Sequence, residues 1–175
     1  MIWKIDIMQN IIIRTAEESD FEDIAQIAKK CSPMNTERNS IYHIFTKFFQ
    51  NTVFVAEIKE SSSKELAGFL LGFISQKKVN EAYIHLLCVT PEFRGKGIAQ
   101  GLINNFLKAV VTKGCNKVYL ITKPINQKAI AFYEKLGFKK NSGFTTIDLD
   151  GVEAVKDYNG LGEHMVVFQK VLSEK

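Results

Sequence analysis

The sequence is poor in the residue types that mark several special classes of protein. Its 175 residues include only 3 cysteines, 3 histidines and 3 prolines. The cysteines lack the C-x-x-C spacing of structural zinc sites, and with so few histidines we expect no metal site. Because the cysteines are few and odd in number, we do not expect a disulfide framework either. The sequence predicts reduced thiols, as in a cytoplasmic protein.

Long apolar runs and basic tracts are also missing. The longest apolar stretch, residues 67–74, is much shorter than the roughly 20 residues that cross a bilayer. Charged residues interrupt positions 1–6, so no signal peptide is predicted there. The formal net charge is +4, and the lysines and arginines form no cluster, which argues against a nucleic acid partner. We therefore expect neither a membrane nor a nucleic acid to be a partner of this protein.

The remaining composition is that of an ordinary globular protein. Hydrophobic residues make up 46% of the chain and charged residues 24%, so both a buried core and a solvated surface are available. The length suits one domain, and no repeat, low-complexity tract or linker divides the sequence. We expect residues 1–175 to form a single domain.

Hydrophobic periodicity predicts an alternation of strands and helices. Apolar runs predict strands over residues 11–14, 53–58, 66–75, 82–89 and 118–122, from 138 onward, and over 165–172. Apolar residues at helical spacing predict helices from residue 19 or 20 to a break at 32–33, and over 40–50, 98–113 and 126–136. A polar turn is predicted at 61–64, and residues 145–158 show no clear pattern. The predicted order, β-α-α-β-β-β-α-β-α-β-β, is that of one α/β domain.

The most informative segment joins the strand ending at Val89 to the helix beginning at Ile98. It contains a basic, glycine-rich turn over residues 94–97, directly before the helix. Backbone N–H groups and the positive end of a helix dipole meet there, an arrangement that binds phosphate. The mononucleotide loop is excluded, because no lysine in this setting precedes Ser or Thr. The dinucleotide fingerprint is excluded as well, because Gln100 stands where it requires Gly or Ala.

Two segments instead carry a family resemblance. Arg94, Gly97 and Ala99 fit the pattern Q/R-x-x-G-x-G/A, which resembles the pyrophosphate-binding segment of the GNAT acetyltransferase superfamily. The segment from Asn126 to Phe138 resembles that superfamily's N-x-x-A-x-x-x-Y-x-x-x-G-F pattern. The predicted element order is also similar to that of the superfamily over nearly the whole chain.

This resemblance implies both a fold and a donor substrate. The fold is an α/β (α+β) GNAT-type domain with a mixed, mostly antiparallel, twisted sheet of about seven strands, splayed between strands 4 and 5 and flanked by about four helices. The donor is acetyl-CoA, without a metal. Its pyrophosphate would lie on the loop N–H groups, and its pantetheine arm would pair with the fourth strand. The residues that the resemblance assigns to acetyl-CoA are Leu87, Cys88, Val89, Arg94, Gly95, Lys96, Gly97, Ile98, Ala99, Gln100, Asn126, Ala129, Phe132, Tyr133 and Lys135.

Acetyl transfer to an amine sets three chemical requirements. The ammonium must lose a proton, for which His85 on the fourth strand is the candidate base. The carbonyl oxygen must be stabilised, and the resemblance implies the backbone N–H of Val89 for this role. The leaving thiolate must be protonated, for which Tyr133 is the candidate general acid, since a phenol keeps its proton at neutral pH. Cys88 is an alternative nucleophile, although its position within a strand is more typical of a core residue.

Each of these side chains also has a purely structural interpretation, which the sequence leaves open. Asn126 is a good helix N-cap, Tyr133 fits a core aromatic, and His85 fits a packed strand residue. Two further candidate bases, Glu57 and Glu81, are more typical of strand ends in solvent.

The acceptor is less well defined by the sequence. The resemblance favours the primary amine of a small molecule, attacking directly in a ternary complex. Three segments, 31–35, 39–42 and 52–57, loosely resemble diaminobutyrate acetyltransferases, but the tail at 157–163 is foreign to them. In that tail, Asp157, Tyr158 and Glu163 are candidates to line a pocket for a cationic amine. Two alternatives stay open: acetylation of a protein or peptide at a lysine or N-terminus, and a non-catalytic acyl-CoA-binding sensor. The chain is expected to be a monomer or a homodimer.

Overall fold

Strands and helices alternate along the described part of the chain, which comprises residues 11–31, 38–59, 65–141 and 143–172 of the computed structural model. The strands are β1 (Ile11–Thr15), β2 (Val53–Ile58), β3 (Leu66–Ile74), β4 (Glu81–Val89), β5 (Lys117–Thr122), β6 (Lys139–Lys140), β7 (Thr146–Leu149), β8 (Val152–Val155) and β9 (Val166–Val171). The α-helices are α1 (Phe21–Lys29), α2 (Asn39–Phe48), α3 (Ile98–Thr112) and α4 (Gln127–Lys135). Each predicted strand and helix has a counterpart here. The predicted turn at 61–64 and helix break at 32–33 lie outside the described residues.

Most of the strands form one mixed sheet, in the order β1-β2-β3-β4-β5-β9-β6. The pairs β1–β2, β2–β3, β5–β9 and β6–β9 are antiparallel, whereas β4–β5 is parallel. The parallel register joins Glu81–Ile84 to Lys117–Leu120, although β4 continues to Val89 and β5 to Thr122. The strands therefore separate beyond Ile84. The expected GNAT-type fold, with a mostly antiparallel sheet splayed between its fourth and fifth strands, is confirmed.

Contacts divide the chain into two compact units. The first contains residues up to Phe73 together with Leu86–Val110, and the second contains Ile74–His85 together with the residues from Val111 onward. Strand β4 begins in the second unit and ends in the first.

Helices α1 and α2 each bury one face in the core of the first unit. Their inward side chains recur at the spacing of one helical face and include Ile24, Ile27, Ala28, Tyr42 and Phe45. The same cluster contains buried residues of β2 and β3, among them Val53, Val55, Phe69 and Leu71. Ile44 and Phe48, which share the predicted apolar side of α2, are instead 43% and 71% exposed.

The buried carboxylate of Asp20, directly before α1, makes no capping hydrogen bond to that helix and instead binds Arg14 and the backbone of the preceding turn. Its Oδ2 accepts hydrogen bonds from Nη1 of Arg14 at 2.8 Å and from the N–H of Glu17 at 2.7 Å. Its Oδ1 accepts a third from Nη2 of Arg14 at 3.1 Å. The hydrogen bonds that Arg14 donates to Asp20 and to Glu57 raise the pKa of Arg14. Arg14 therefore ties β1 to the start of α1 and to β2.

The β7–β8 hairpin in the second unit was not predicted from the sequence pattern. Thr146–Leu149 pairs with Val152–Val155 in antiparallel register, and the two residues between them, Asp150 and Gly151, have φ of 52° and 81°. Two positive φ angles in a two-residue loop make a type I′ turn, whose twist matches paired strands and for which Asp-Gly is a preferred sequence. The dipeptide Asp150-Gly151 is the signal that would have found this hairpin.

Candidate active site

The glycine-rich loop of the first unit leads directly into α3. It follows a 3-10 turn over Pro91–Phe93, and Gly95 and Gly97 adopt φ of 77° and 76°, a left-handed conformation that side chains disfavour. The N–H of Gly101 donates to the carbonyl of Gly97 at 2.9 Å, which closes the first helical turn. The N–H groups that precede Gly101 have no partner within their own helix, as at every helix start. The loop thus has the backbone geometry that the phosphate-site prediction requires.

Two cationic side chains are fixed on this loop. Nε of Arg94 donates to the carbonyl oxygen of Val89 at 3.0 Å. This hydrogen bond anchors the exposed guanidinium through Nε and does not use its two terminal nitrogens. Nζ of Lys96 lies 4.8 Å from the centre of the Phe93 ring, a cation–π contact. Both positive charges are therefore held close to the loop amides, where a diphosphate would benefit from them.

Burial alternates along most of strand β4. Tyr83, His85, Leu87 and Val89 are half-buried, while Cys88 and the other buried residues of the strand lie at even-numbered positions. Because successive side chains of a strand point to opposite faces, this period of two favours one shared face for these four side chains.

In the second unit, Asn126 caps helix α4. Its Oδ1 accepts a hydrogen bond from the N–H of Ala129 at 3.3 Å, so the structural interpretation of Asn126 holds. Farther along the helix, Ala129 and Phe132 are half-buried and Lys135 is exposed.

Tyr133 lies on α4 within a group of aromatic rings. Its ring centre is 5.4 Å from that of Phe132, 6.0 Å from that of Phe138 and 5.8 Å from that of Phe168. Only 9% of the residue is exposed, and this burial raises the pKa of Tyr133 to about 12. The phenol is consequently protonated across the physiological range, as a general acid must be before it reacts.

Two further tyrosines of the same unit interact electrostatically with this region. Tyr83 and His85 have ring centres 6.4 Å apart. Burial is the main cause of a strongly raised Tyr83 pKa, and electrostatic interactions with Tyr158 and Tyr133 raise it further. Tyr158 packs edge-on against Phe144, with ring centres 6.2 Å apart. The sequence predicts Tyr158 as a candidate pocket residue but does not predict these contacts, because the surrounding segment has no clear periodicity.

The two acidic candidate bases are engaged in ion pairs. Glu57 pairs with Arg14. Glu81 lies 3.3 Å from Nζ of Lys78 and 3.9 Å from Nζ of Lys117, and it accepts a hydrogen bond from the hydroxyl of Tyr119 at 3.4 Å. These contacts give both carboxylates a structural role, so His85 is the base candidate that we retain.

The side chains of Cys31 and Cys88 lie against each other in the core of the first unit, with Cα atoms 6.1 Å apart. Because 57 residues separate the two cysteines in the chain, only the fold brings them together. Sγ of Cys88 lies 3.9 Å from the carbonyl oxygen of Ile27, and the third cysteine, Cys115, is also buried. The burial of Cys88 favours the core role that its position within a strand predicts over that of a nucleophile.

The described residues contain neither a metal-ligating cluster nor a membrane-spanning helix. Within residues 11–31, 38–59, 65–141 and 143–172, no three His, Cys, Asp or Glu side chains are grouped so as to hold a metal ion. No helix in that same part of the chain has the length and apolar character needed to cross a membrane.

The sequence matches a known family over most of its length. A family model described as the acetyltransferase (GNAT) family matches residues 21–138, a span that contains the glycine-rich loop, His85 and Tyr133. An acetyltransferase of Pectobacterium atrosepticum is 29% identical over 129 residues, which are 73% of this chain and 86% of that protein.

Solved structures share the fold at lower identity. Ard1 from Thermoplasma volcanium superimposes with a TM-score of 0.75 at 21% identity, covering 94% of this chain and 99% of that chain. The diaminobutyrate acetyltransferase EctA from Paenibacillus lautus, solved with L-2,4-diaminobutyric acid and coenzyme A, superimposes with a TM-score of 0.70 at 15% identity, covering 94% and 97%. Identities this low establish a common fold and leave the acceptor undetermined.

Proposed function

We propose that this chain, which belongs to the acetyltransferase (GNAT) family, acetylates the primary amine of a small molecule. Family membership makes it an acetyl-CoA-dependent N-acetyltransferase. The observation that carries the finer proposal is the exposed ring pair Tyr158 and Phe144, on the same part of the chain as Asp157 and Glu163, which suits a small cationic amine. We further propose that residues 1–175 act as one domain, as a monomer or homodimer, in the cytoplasm.

For the donor, we assign the pyrophosphate of acetyl-CoA to the backbone N–H groups of residues 95–100. Gly95 and Gly97 leave the backbone open to close approach, and Arg94 and Lys96 neutralise the charge. The backbone of Leu87 and Val89, on the part of β4 that is not registered to β5, is assigned to the pantetheine amides. Asn126, Ala129, Phe132 and Lys135 complete the assignment along α4.

The reaction requires one proton to leave the acceptor ammonium and one to reach the sulfur of the thioester, which acetyl-CoA supplies. We assign His85 to take the proton from the incoming ammonium, directly or through water, so that the neutral nitrogen attacks the carbonyl carbon. The backbone N–H of Val89 is assigned to the oxygen that gains negative charge. As the carbon–sulfur bond breaks, the hydroxyl of Tyr133 donates to the sulfur, which leaves as the CoA thiol.

Aromatic and acidic side chains of the second unit support a small cationic acceptor. Tyr158 and Phe144 are 39% and 48% exposed and lie against each other, so a ring surface is available to a ligand. Rings of this kind attract ammonium groups, and Asp157 and Glu163 add negative charge to the same loop of the chain.

Turnover with a panel of acceptors tests this proposal. Purified protein is incubated with acetyl-CoA and with polyamines, diamino acids, aminoglycosides, lysine peptides and peptides with free N-termini, and CoA release is measured. We expect the highest kcat/KM with a small diamine or amino acid. A preference for peptides by more than about tenfold would assign the protein-directed alternative, a difference of roughly 1.4 kcal/mol in transition-state binding. Acetyl-CoA binding with no CoA release from any acceptor would identify a sensor instead.

A further inference from the structure

The loop over residues 157–164, between β8 and β9, is folded around the side chain of Asp157. Oδ1 of Asp157 accepts a hydrogen bond from the N–H of Gly162 at 2.8 Å. The N–H of Asp157 donates to Nδ1 of His164 at 3.0 Å, and that nitrogen also lies 3.4 Å from Oδ1 of Asp157. Asp157 therefore connects the start of the loop to its end, through both its backbone and its carboxylate.

The backbone of Asp157 is in a conformation that few residues adopt. Its φ is 53°, in the left-handed region, where Asp is tolerated better than most residues because its side chain can hydrogen-bond locally. Gly160 and Gly162 in the same loop also have positive φ, at 123° and 81°. Backbone hydrogen bonds within the loop accompany this fold, and the one from the N–H of Gly160 to the carbonyl of Asp157 measures 3.1 Å. The shape of the loop therefore depends on hydrogen bonds of Asp157 that offset an unfavourable φ.

Tyr158, the next residue, is the side chain that this loop presents. Its ring lies edge-on to that of Phe144, with ring centres 6.2 Å apart, and 39% of Tyr158 is exposed. Just before the loop, the N–H of Lys156 donates to the carbonyl of Thr145 at 3.0 Å, so the two segments that carry the rings are tied together. Because Asp157 directly precedes Tyr158, its left-handed φ sets the direction in which the Tyr158 ring projects.

Sheet register places Tyr83 within a few residues of the end of the sheet from which this loop projects. The loop leads into β9, whose residue Val166 pairs with Thr122, the last residue of β5. Strand β4 is parallel to β5 and therefore runs toward the same end, and Ile84 is its last residue in register with β5. Tyr83 comes one residue earlier. Burial, and then an electrostatic interaction with Tyr158, raise the pKa of Tyr83, which agrees with this placement.

The half-buried ring of Tyr83 and the exposed ring of Tyr158 suit an ammonium group, because the face of an aromatic ring attracts cations. We propose that Asp157 is a positioning residue, which holds Tyr158 toward Tyr83 so that the two rings receive the acceptor ammonium. This inference rests on the proposed function. Asp157 acts through Tyr158 and not as a charge beside the amine, because Gly162 and His164 already engage its Oδ1. An aliphatic amine, which is charged at neutral pH, is therefore preferred over an uncharged arylamine.

Substitutions at Asp157 separate positioning from charge. Asp157→Asn keeps an Oδ1 that can accept from the Gly162 N–H and removes the negative charge, whereas Asp157→Ala removes both. We expect the KM for a small aliphatic amine to rise about tenfold in Asp157→Ala, because Tyr158 must then be ordered on binding, and less than about threefold in Asp157→Asn. The kcat and the KM for acetyl-CoA should change little. Equal rises in both variants, or no rise in Asp157→Ala, would overturn the proposal.

Asp150→Ala is the matched control for these variants. Asp150 has φ of 52°, carries the same charge and lies in the same unit, between the paired strands β7 and β8. Its substitution therefore repeats the loss of charge and the change at a left-handed residue without touching the 157–164 loop. We expect the KM for the amine to stay at the wild-type value. A rise equal to that of Asp157→Ala would reduce the effect to a general loss of charge and overturn the proposal.

Tyr83→Leu tests the second ring, and Tyr119→Leu on the adjacent strand is its control. Tyr119 pairs with Tyr83 in the β4–β5 register, and its hydroxyl donates to Glu81 at 3.4 Å. We expect the KM for the amine to rise about tenfold in Tyr83→Leu and to stay near the wild-type value in Tyr119→Leu. Asp157→Ala combined with Tyr83→Leu should raise the KM by less than the product of the single effects, because both changes weaken one ammonium contact. Effects that multiply would contradict a shared site.

The wild-type enzyme separates this proposal from the proposed function. Acetylation of peptides but of no small amine by wild type would contradict the proposed function itself. Acetylation of a small amine with a wild-type KM in both Asp157→Ala and Tyr83→Leu would leave that function standing and overturn only the roles of Asp157 and Tyr83. A higher kcat/KM for an arylamine than for an aliphatic amine would overturn the same roles.

Discussion

At the scale of single residues, the environment of Tyr133 decides what kind of acid it is. Burial among three aromatic rings raises the pKa of Tyr133 to about 12. The conjugate acid of a thiolate has a pKa near 8.5, so full proton transfer from Tyr133 to the CoA thiolate after bond cleavage would be uphill by about 3.5 pH units, or roughly 5 kcal/mol. We therefore propose that Tyr133 mainly donates a hydrogen bond to the sulfur as negative charge develops there.

The substitution Tyr133→Phe tests this assignment with the smallest change in volume. It keeps the ring in its aromatic surroundings and removes the hydroxyl, so we expect kcat to fall about 10²–10³-fold while the dissociation constant for acetyl-CoA stays nearly unchanged. Steady-state kinetics and calorimetry give the two values. Phe168→Leu, which changes a ring that packs against Tyr133 but has no assigned role in binding or chemistry, is the control for altered packing. A Tyr133→Phe enzyme with wild-type kcat would remove Tyr133 from the chemistry.

The pH dependence of the rate tests the proposed role of Tyr133. In that role Tyr133 reacts in its protonated form, and a pKa of about 12 keeps it so, which means that Tyr133 should contribute no loss of rate between pH 7 and 10. The measurement is kcat/KM against pH for wild type and Tyr133→Phe. A decline of the wild-type rate between pH 8 and 10 that is absent in Tyr133→Phe would contradict the assignment of Tyr133.

At the scale of elements, the glycine-rich loop and the start of α3 are proposed to act together as an anion site. Arg94→Ala removes a cation that Val89 holds in place, and we expect it to raise the dissociation constant for acetyl-CoA about tenfold, equivalent to roughly 1.4 kcal/mol. The effect should shrink in high salt. Lys113→Ala changes the net charge equally at an exposed position beyond the end of α3 and serves as the control. Equal binding by the two variants would contradict a pyrophosphate role for Arg94.

The start of α1 depends on Asp20, and this dependence is a matter of stability. Asp20→Ala leaves Arg14 without its main partner and the Glu17 N–H without an acceptor, and breaking a buried pair of this kind costs about 3–5 kcal/mol. Urea unfolding should show this loss. Glu22→Ala, on the exposed side of the same helix, should change stability by no more than about 0.5 kcal/mol. A loss below about 1 kcal/mol for Asp20→Ala would show that the pair is not important for stability.

The sequence predicted an element well where the residues of that segment alone determine its bounds. The helix after the glycine loop was expected over 98–113 and is Ile98–Thr112, because its inward apolar residues and Gly114 are signals carried by the segment itself. The buried face of α2 was less well predicted. Ile44 and Phe48 are apolar and would be expected in the core, but both side chains are exposed. Whether a helix face is buried depends on what lies opposite, which a single segment does not encode.

At the scale of the whole molecule, the sequence identified the donor chemistry more fully than the acceptor. The donor motifs are contiguous in the chain, at 94–99 and 126–138, so their spacing alone could reveal them. The acceptor side that we propose rests on residues such as Phe144 and Tyr158, which are separated in the chain and form no motif. The contact between Cys31 and Cys88 is invisible to sequence reasoning for the same reason. The loosely matching segment at 31–35 lies largely outside the described residues.

The central claim is that this chain moves an acetyl group from acetyl-CoA to a primary amine. Its most direct test is product analysis by mass spectrometry after incubation with acetyl-CoA labelled on the acetyl group and the best acceptor of the panel. The account predicts one labelled acetyl group on the acceptor nitrogen for each CoA released. Saturable acetyl-CoA binding without any labelled acceptor, or label that stays on the protein while CoA is released, would contradict it.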